Sequence, residues 1–413
     1  MRNKANILIA SCAVVALCGL GFSVVKKSQI PAKAAVKQTD QIVKATNLFL
    51  KTLSDDQRKT LLFPFTAQKS AIAAKFARNK NQNATPSKNG TDMPKPDPSS
   101  VPPGQKGTAR NEGSPGGNMG GEQFPGFIGE QYGKAVWSNY PVSDVPRPGI
   151  QLGSLNTAQR AAAMNMLKQL LSEQGFQKVQ DIMGSDQALA DAGQNFASGK
   201  DTYTLAIFGT PNSATPWMVE FGGHHLGLNL IIAGPFGTLT PTLTGAQPSV
   251  YQSNGKTVRV LAEENDRAFE LMGSLDEVQR KKAILNYKIG DLVLGPGHDG
   301  EVIVPEGLKG SSLNSKQKEM LTGIIAQWAG IISKPYLERR MKEIQAGIEE
   351  TYFAWSGPLT HQPGKNGTSY YRIQGPRVII EFSPQGVGGD PAMHVHTIYR
   401  DPGNEYGQAY LKK

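Results

Sequence analysis

At 413 residues the chain allows one large or two ordinary domains, and its 46 Gly and 27 Pro imply long stretches outside any packed core. The formal charge is +10, but Arg2, Lys4, Lys26, Lys27 and Lys33 supply half of it, and without them the balance is 39 basic to 34 acidic residues. That mildly basic remainder carries no dense basic helix with interleaved aromatics, so nucleic acid is excluded as a partner.

The N-terminus reads as an export signal. Met-Arg-Asn-Lys is a short positive start, and Ile7 to Val25 contains no charge. Ala32-Lys33-Ala34 then offers an A-x-A cleavage site, so residues 1–34 form a signal peptide or an N-terminal anchor. A retained membrane anchor is the main rival, because 19 uncharged residues nearly span a bilayer. Ile9-Ala10-Ser11-Cys12 gives a third reading, a lipoprotein signal. All three place the bulk of the protein outside the cytoplasm: periplasmic, on the cell surface or secreted, with membrane contact only through this segment. Both cysteines, Cys12 and Cys18, lie in the apolar run. A processed chain therefore has no disulfide, thiolate metal site or cysteine nucleophile, and any metal must be held by His, Asp, Glu or backbone oxygen.

Residues 41–65 have apolar residues near helical spacing and are expected to form a helix, with 67–78 as a helical overhang. From 79 to 130 the chain is rich in Pro, Gly and Asn and nearly free of aliphatic residues. Such a segment buries too little surface to offset chain ordering, and is expected to be a disordered insert. Four copies of a short pattern then mark helix starts: Leu53-Ser54…Gln57-Arg58, Leu155-Asn156…Gln159-Arg160, Leu275-Asp276…Gln279-Arg280 and Leu313-Asn314…Gln317-Lys318. In each, the second residue caps the helix, the glutamine reaches back to the cap amide and the leucine staples onto the first turn.

Strand-like runs lie between these helices. Tyr203–Phe208, Trp217–Phe221 and Leu226–Ile232 form a first group; Tyr352–Trp355, Ser369–Gln374, Arg377–Phe382 and His394–Tyr399 form a second. Short turn-rich links within each group favour antiparallel meanders. The expected class is α+β: a single main domain over 136–411 with an antiparallel meander and capped helices, joined by helix 41–65 and interrupted by the insert.

Four of the six histidines fall in two tight pairs. His224-His225 follows Glu220-Phe-Gly-Gly223, and His394-Val-His396 precedes Thr-Ile-Tyr-Arg400-Asp401. Imidazole is the commonest metal ligand and the usual acid or base near neutral pH. Side chains alternate along a strand, so His394, His396, Ile398 and Arg400 share one face, and the H-x-H pair can reach one ion. In an extended chain only one of His224 and His225 points to that face. The expected centre uses His394, His396 and one of His224 or His225, with Glu220, Glu263, Glu264 or Glu381 as a carboxylate. Three protein ligands and an open position suit Zn²⁺ or another divalent transition metal. Glu220, Arg400 and Asp401 are the expected catalytic groups; Asn229, Trp217, Tyr371 and Arg372 are the expected ligand-binding groups. His298 and His361 are expected to be exposed loop residues. A metal-free polar pocket for a small ligand is the competing reading. H-E-x-x-H, G-x-S-x-G, the P-loop and the dinucleotide fingerprint are all absent.

These motifs resemble an uncharacterised bacterial family, domain of unknown function 3500. The resemblance rests on Phe49-Leu-x-x-Leu-Ser-Asp-Asp-Gln-Arg58, Leu155-Asn-Thr-Ala-Gln-Arg160, Phe208-Gly-Thr-Pro211, Trp217…Gly223-His-His-Leu-Gly-Leu-Asn229, Tyr371-Arg-Ile-Gln-Gly-Pro376, Ile380-Glu-Phe382 and His394-Val-His-Thr-Ile-Tyr-Arg-Asp-Pro402. It implies one domain interrupted by the insert, and no established reaction. The chain departs from the family's pattern at Met393, where Asn is usual, and at Ser383, where an acid is. The expected function is an exported metal-dependent enzyme, hydrolase-like, acting on a small molecule or peptide. The alternatives are a non-catalytic extracytoplasmic ligand-binding protein and a metal-dependent oxidoreductase.

Overall fold

The four capping patterns govern how the helices begin. In a computed structural model describing residues 33–74, 129–194, 197, 199–387 and 389–411, each is a complete capping box. Ser54, Asn156, Asp276 and Asn314 accept from the amide of the glutamine three residues on, and that glutamine accepts from the cap amide. Each such cap stabilises its helix by about 1 kcal/mol. The glutamines also meet in pairs. Gln159 Nε2 donates to Gln57 Oε1 at 2.9 Å, and Gln317 Nε2 donates to Gln279 Oε1 at the same distance.

That pairing is one sign of a larger repeat. The helices Lys33–Thr52, Asp55–Leu61, Thr157–Leu170 and Glu173–Asp191 lead into strands Thr204–Phe208, Trp217–Gly223, Leu226–Ala233 and Phe236–Ala246. The helices Ala262–Ser274, Glu277–Ala283, Ser315–Ala329 and Lys334–Gln345 lead likewise into Tyr352–Ser356, Tyr370–Gly375, Val378–Pro384 and Val395–Arg400. Matching details accompany the matching order. Ile150 pairs with Leu205 as Leu308 pairs with Phe353. Leu62 runs parallel to Ile207 as Ile284 does to Trp355. Gly149 and Gly307 both have positive φ (99° and 96°), and a Cβ on either would lie 2.1 or 2.3 Å from the carbonyl oxygen of Leu205 or Phe353. Only glycine fits there.

The two copies join about an approximate two-fold. Leu171 bridges Ile332, with Ser172 N–H donating to Ile331 O at 2.9 Å and Ser333 N–H to Leu170 O at 3.0 Å. Strands 236–246 and 395–400 pair antiparallel at the centre, with Thr242 opposite Tyr399. Among the described residues, eleven strands form this one sheet, so the fold is α+β. Its helical face is the main core: Trp217, Val219 and Phe221 of one strand, Val395 and Tyr399 of another, against Ile42, Phe49, Leu167 and Trp328. The other face is covered by smaller clusters. Met218 and Ile231 meet Tyr132, Ala135 and Tyr406, while Leu243 and Ile398 meet Trp137 and Leu294.

The structure corrects several expectations. The 41–65 helix starts earlier, at Lys33, and breaks at Leu53, where Ser54 caps the next helix. Ile72–Ala74 is a strand paired with Gly129–Tyr132, not a helical overhang, so the segment 129–130 is not part of the insert. Strand 236–246 is not among the strand-like runs read from the sequence, and it carries Gly237 and Pro241 inside it. Pro241 is accommodated by a register irregularity between Leu228 and Leu230, where Asn229 Nδ2 donates to Pro241 O at 2.9 Å. The expected signal segment up to residue 32, both cysteines and the insert from 75 to 128 lie outside the described residues. Among the described residues no helix is long and apolar enough to cross a membrane.

Candidate metal centre

The two histidine motifs meet through one intervening strand. Gly223 pairs with Leu226, which leaves His224 and His225 as a two-residue turn. Leu226 then pairs with Thr244, and the next residue, Gly245, pairs with His396. A Cβ on Gly245 would stand 2.6 Å from Val395 O and 3.3 Å from His225 Cβ. Glycine at that point leaves the path between the motifs open. His225 itself has φ 60°, and its N–H donates to Asn139 O at 3.1 Å. A left-handed histidine costs about 1–2 kcal/mol, a strain of the kind that gathers at functional sites.

Three Nε2 atoms converge. His225 Nε2 and His396 Nε2 each lie 3.0 Å from His394 Nε2. Together these residues form a group able to hold one ion. The outer nitrogens are held as well. His394 Nδ1 lies 2.8 Å from Val387 O, which can only accept, so the proton sits on Nδ1 and Nε2 presents a lone pair. Asn139 Nδ2 lies 3.0 Å from His396 Nδ1 and donates to it, which puts that ring's proton on Nε2, whereas Asp291 Oδ1, 3.5 Å from the same Nδ1, favours the opposite tautomer. A carboxylate behind a ring favours the Nδ1–H tautomer and turns the Nε2 lone pair inward. In the Nδ1–H tautomer two lone pairs would face at 3.0 Å with a cation between them; in the other, His396 Nε2–H donates to His394 Nε2. Tetrahedral Zn–N bonds of about 2.0–2.1 Å set nitrogens roughly 3.4 Å apart, close to what is seen.

The electrostatics keep His225 and His394 neutral. Burial, then the charges that His224, His394 and His396 would carry, holds His225 well below the usual histidine range. Burial and the neighbouring His396 push His394 down to about 3. Asp291 is held below the ordinary aspartate range: burial acts against this, but hydrogen bonding and charge from His396 outweigh it, with help from the Leu292 amide and Gln385. Neutral imidazoles backed by an ionised carboxylate are the form in which histidine binds a metal.

His224 does not join the convergence. Its Nδ1 lies 2.7 Å from Asp186 of helix 173–191, and its ring stacks on that of His225 at 3.9 Å between centroids. Its place is behind the His225 ring. The expected catalytic groups are also engaged elsewhere. Glu220 Oε2 accepts from Val136 N–H at 3.0 Å, and burial, only partly offset by that bond and by Arg147, raises its pKa to about 8. Arg400 is buried with Glu130 and Glu405 and donates to the carbonyls of Leu294 and Gly295. Asp401 binds Arg340 and Arg377.

The expected ligand-binding groups likewise serve the fold. Asn229 plugs the strand irregularity at Pro241. The Trp217 indole donates to Asn212 O, Tyr371 hydroxyl to Glu264 O, and Arg372 pairs with Glu306. None of the four carboxylates expected to complete the centre does so. Glu381 instead accepts from the amides of Val293 and Leu294, which fixes the segment carrying Asp291. Glu264 pairs with Lys178 and Glu263 with Arg267. His298 and His361, both half-buried, face Glu301 and Asp266.

Asn139, Asp186 and Asp291 escaped the sequence reading. The first and last lie in irregular segments with no periodicity to project them. Arg147 explains how the first is positioned. Buried, it donates to the carbonyls of Pro141, Val145, Ser138, Tyr140 and Gly223, tying the Asn139 loop to the strand that leads into the histidine turn.

Fold and centre together define an α+β protein with a duplicated meander and a three-histidine cluster on one side of its central strand pair. The chain belongs to the family described as Protein of unknown function (DUF3500), whose profile matches residues 128–408. That span contains both histidine motifs. Comparison with curated proteins and with solved structures yields no match.

Proposed function

We propose that this protein is a metal-dependent enzyme of hydrolase type, with its ion held by His225, His394 and His396. The observation that carries the reading is the meeting of three Nε2 atoms, with His394 held from behind by Val387 O and His396 by Asn139 and Asp291. Zn²⁺ or another divalent transition metal on three imidazoles, with a position left open, would lower the pKa of a bound water to about 7 and supply a nucleophile at neutral pH. The chain's own part is to hold three lone pairs in register. Val387 O fixes the tautomer of His394, Asp291 stands behind His396 to accept from its Nδ1–H once a metal takes Nε2, and the Asp186–His224 pair buttresses the face of His225. Glu220, Arg400 and Asp401 belong in this reading to the scaffold.

The protein's place is outside the cytoplasm on the pattern of residues 1–34, and cell fractionation tests that part separately. For the centre, elemental analysis of protein purified without added metal is direct. About one divalent ion per chain is expected, lost when His394 and His396 become Ala. Less than about 0.2 ion per chain, unchanged in that double variant, would contradict the reading.

A further inference from the structure

A small pocket opens beside the cluster. It has a volume of about 190 Å³, and His394 is part of its wall. Ala188, Leu189, Pro248 and Met393, with Ala192 at the C-terminal end of the helix behind the site, make the rest of it mostly apolar, with Gln247 as its one uncharged polar side chain besides His394. Its one charged group, Asp390, is already used: one oxygen accepts from Ala392 N–H at 3.0 Å, and the other lies 3.2 Å from Lys365 Nζ. The wall therefore calls for no charge on a ligand. Of the three rings only His394 lines this pocket. His394 and His396 keep 8% and 9% exposure, against 3% for His225. A dry cavity of about 150 Å³ accommodates benzene, so the space suits a single ring or a chain of about four to six carbons.

We propose that this pocket is the recognition site for the compact apolar group of a small, uncharged substrate whose polar, reacting end lies against His394. The inference rests on the metal reading and adds the substrate class to it. Met393 sets the pocket's polarity, because it precedes the first ligand and lines the wall.

Cobalt-loaded full-length protein tests this with hydroxamates, which bind metal through a constant head. Acetohydroxamate, butyrohydroxamate, hexanohydroxamate and benzohydroxamate are titrated while the visible cobalt spectrum is followed. Affinity is expected to rise at least tenfold from the acetyl to the hexanoyl or benzoyl member. Ala192→Trp should remove that gain and leave acetohydroxamate binding intact, and Met393→Asn should reduce it severalfold. Equal affinities along the series on cobalt-loaded protein would overturn the pocket assignment alone. A chain that takes up no cobalt would overturn it together with the metal reading.

Discussion

The His224–His225 turn and the Pro376–Arg377 turn occupy the same place in the two copies of the meander. Gly222 pairs with Gly227 next to the first, as Gln374 does with Ile379 next to the second. The first turn delivers a strained, buried imidazole to a shared cluster. The second delivers Arg377 to Asp401, with bonds of 3.0 and 2.9 Å, in a network with Arg340 and Glu343. Features common to both copies, such as the capping boxes, Gly149 with Gly307, and the reciprocal Ser172 and Ser333 bonds, are what the scaffold requires. Features present in one copy alone require another reason. The scaffold closes the same turn with Pro-Arg and an ion pair, so it does not explain a left-handed histidine.

The largest expected effect falls on the second copy. Asp401→Ala leaves buried Arg340 and its neighbour Arg377 without their shared carboxylate. Breaking such a pair costs about 3–5 kcal/mol, read in urea unfolding, with the metal content of the folded fraction unchanged. Loss of metal in that variant would mean that the two turns are not independent.

Acid sharpens the contrast from the side of the histidine cluster. His394 has a folded pKa of about 3, and that of His225 also lies below the ordinary 6.5. Between about 3 and 6.5 the unfolded chain holds more protons than the folded one, so stability rises with pH through that window. In chelator-stripped protein this contribution is complete above about pH 6.5. It is lost on acidification at about 1.4 kcal/mol per pH unit for each group. A flat Tm between pH 7 and 4 would contradict neutral, buried rings.

Asp291→Asn keeps the shape behind His396 but removes the charge. Metal affinity is expected to fall about 10–100-fold, measured by competition with a chromophoric chelator, with unfolding free energy changed by less than about 1 kcal/mol. An unchanged affinity would remove Asp291 from the centre.

Glu220→Gln is expected to matter least. Its folded pKa of about 8 lies above the ordinary 4.5, so the folded chain holds the extra proton between these values and stability falls as pH rises through them. The variant should match the parent near pH 4, exceed it by a growing margin above that, reach a gain of a few degrees in Tm at pH 9 and keep its metal. Loss of metal or activity at pH 6 would return Glu220 to the chemistry.

Much of this was legible in the sequence, and what was not has physical causes. Period-two alternation put His394 and His396 on one face, and the capping boxes marked four helix starts. A choice between His224 and His225 was out of reach, because in a turn the backbone angles, not parity, decide direction. Carboxylates were misassigned because Glu220 and Glu381 sit close in sequence or on a neighbouring strand but are spent on amides. Asp291, which stands behind His396, arrives from an irregular segment. The repeat surfaced only as capping boxes. Its fuller trace, Gly149-Ile…Leu-Asn…Gln159 against Gly307-Leu…Leu-Asn…Gln317, is short, and beyond it the copies match in pairing rather than in residue type.

X-ray absorption at the metal edge of the purified protein tests the three-histidine centre most directly. The account predicts three nitrogen scatterers at about 2.0–2.1 Å with the multiple-scattering pattern of imidazole, falling to two in His394→Ala. An all-oxygen shell, or a spectrum unchanged by that substitution, would contradict it.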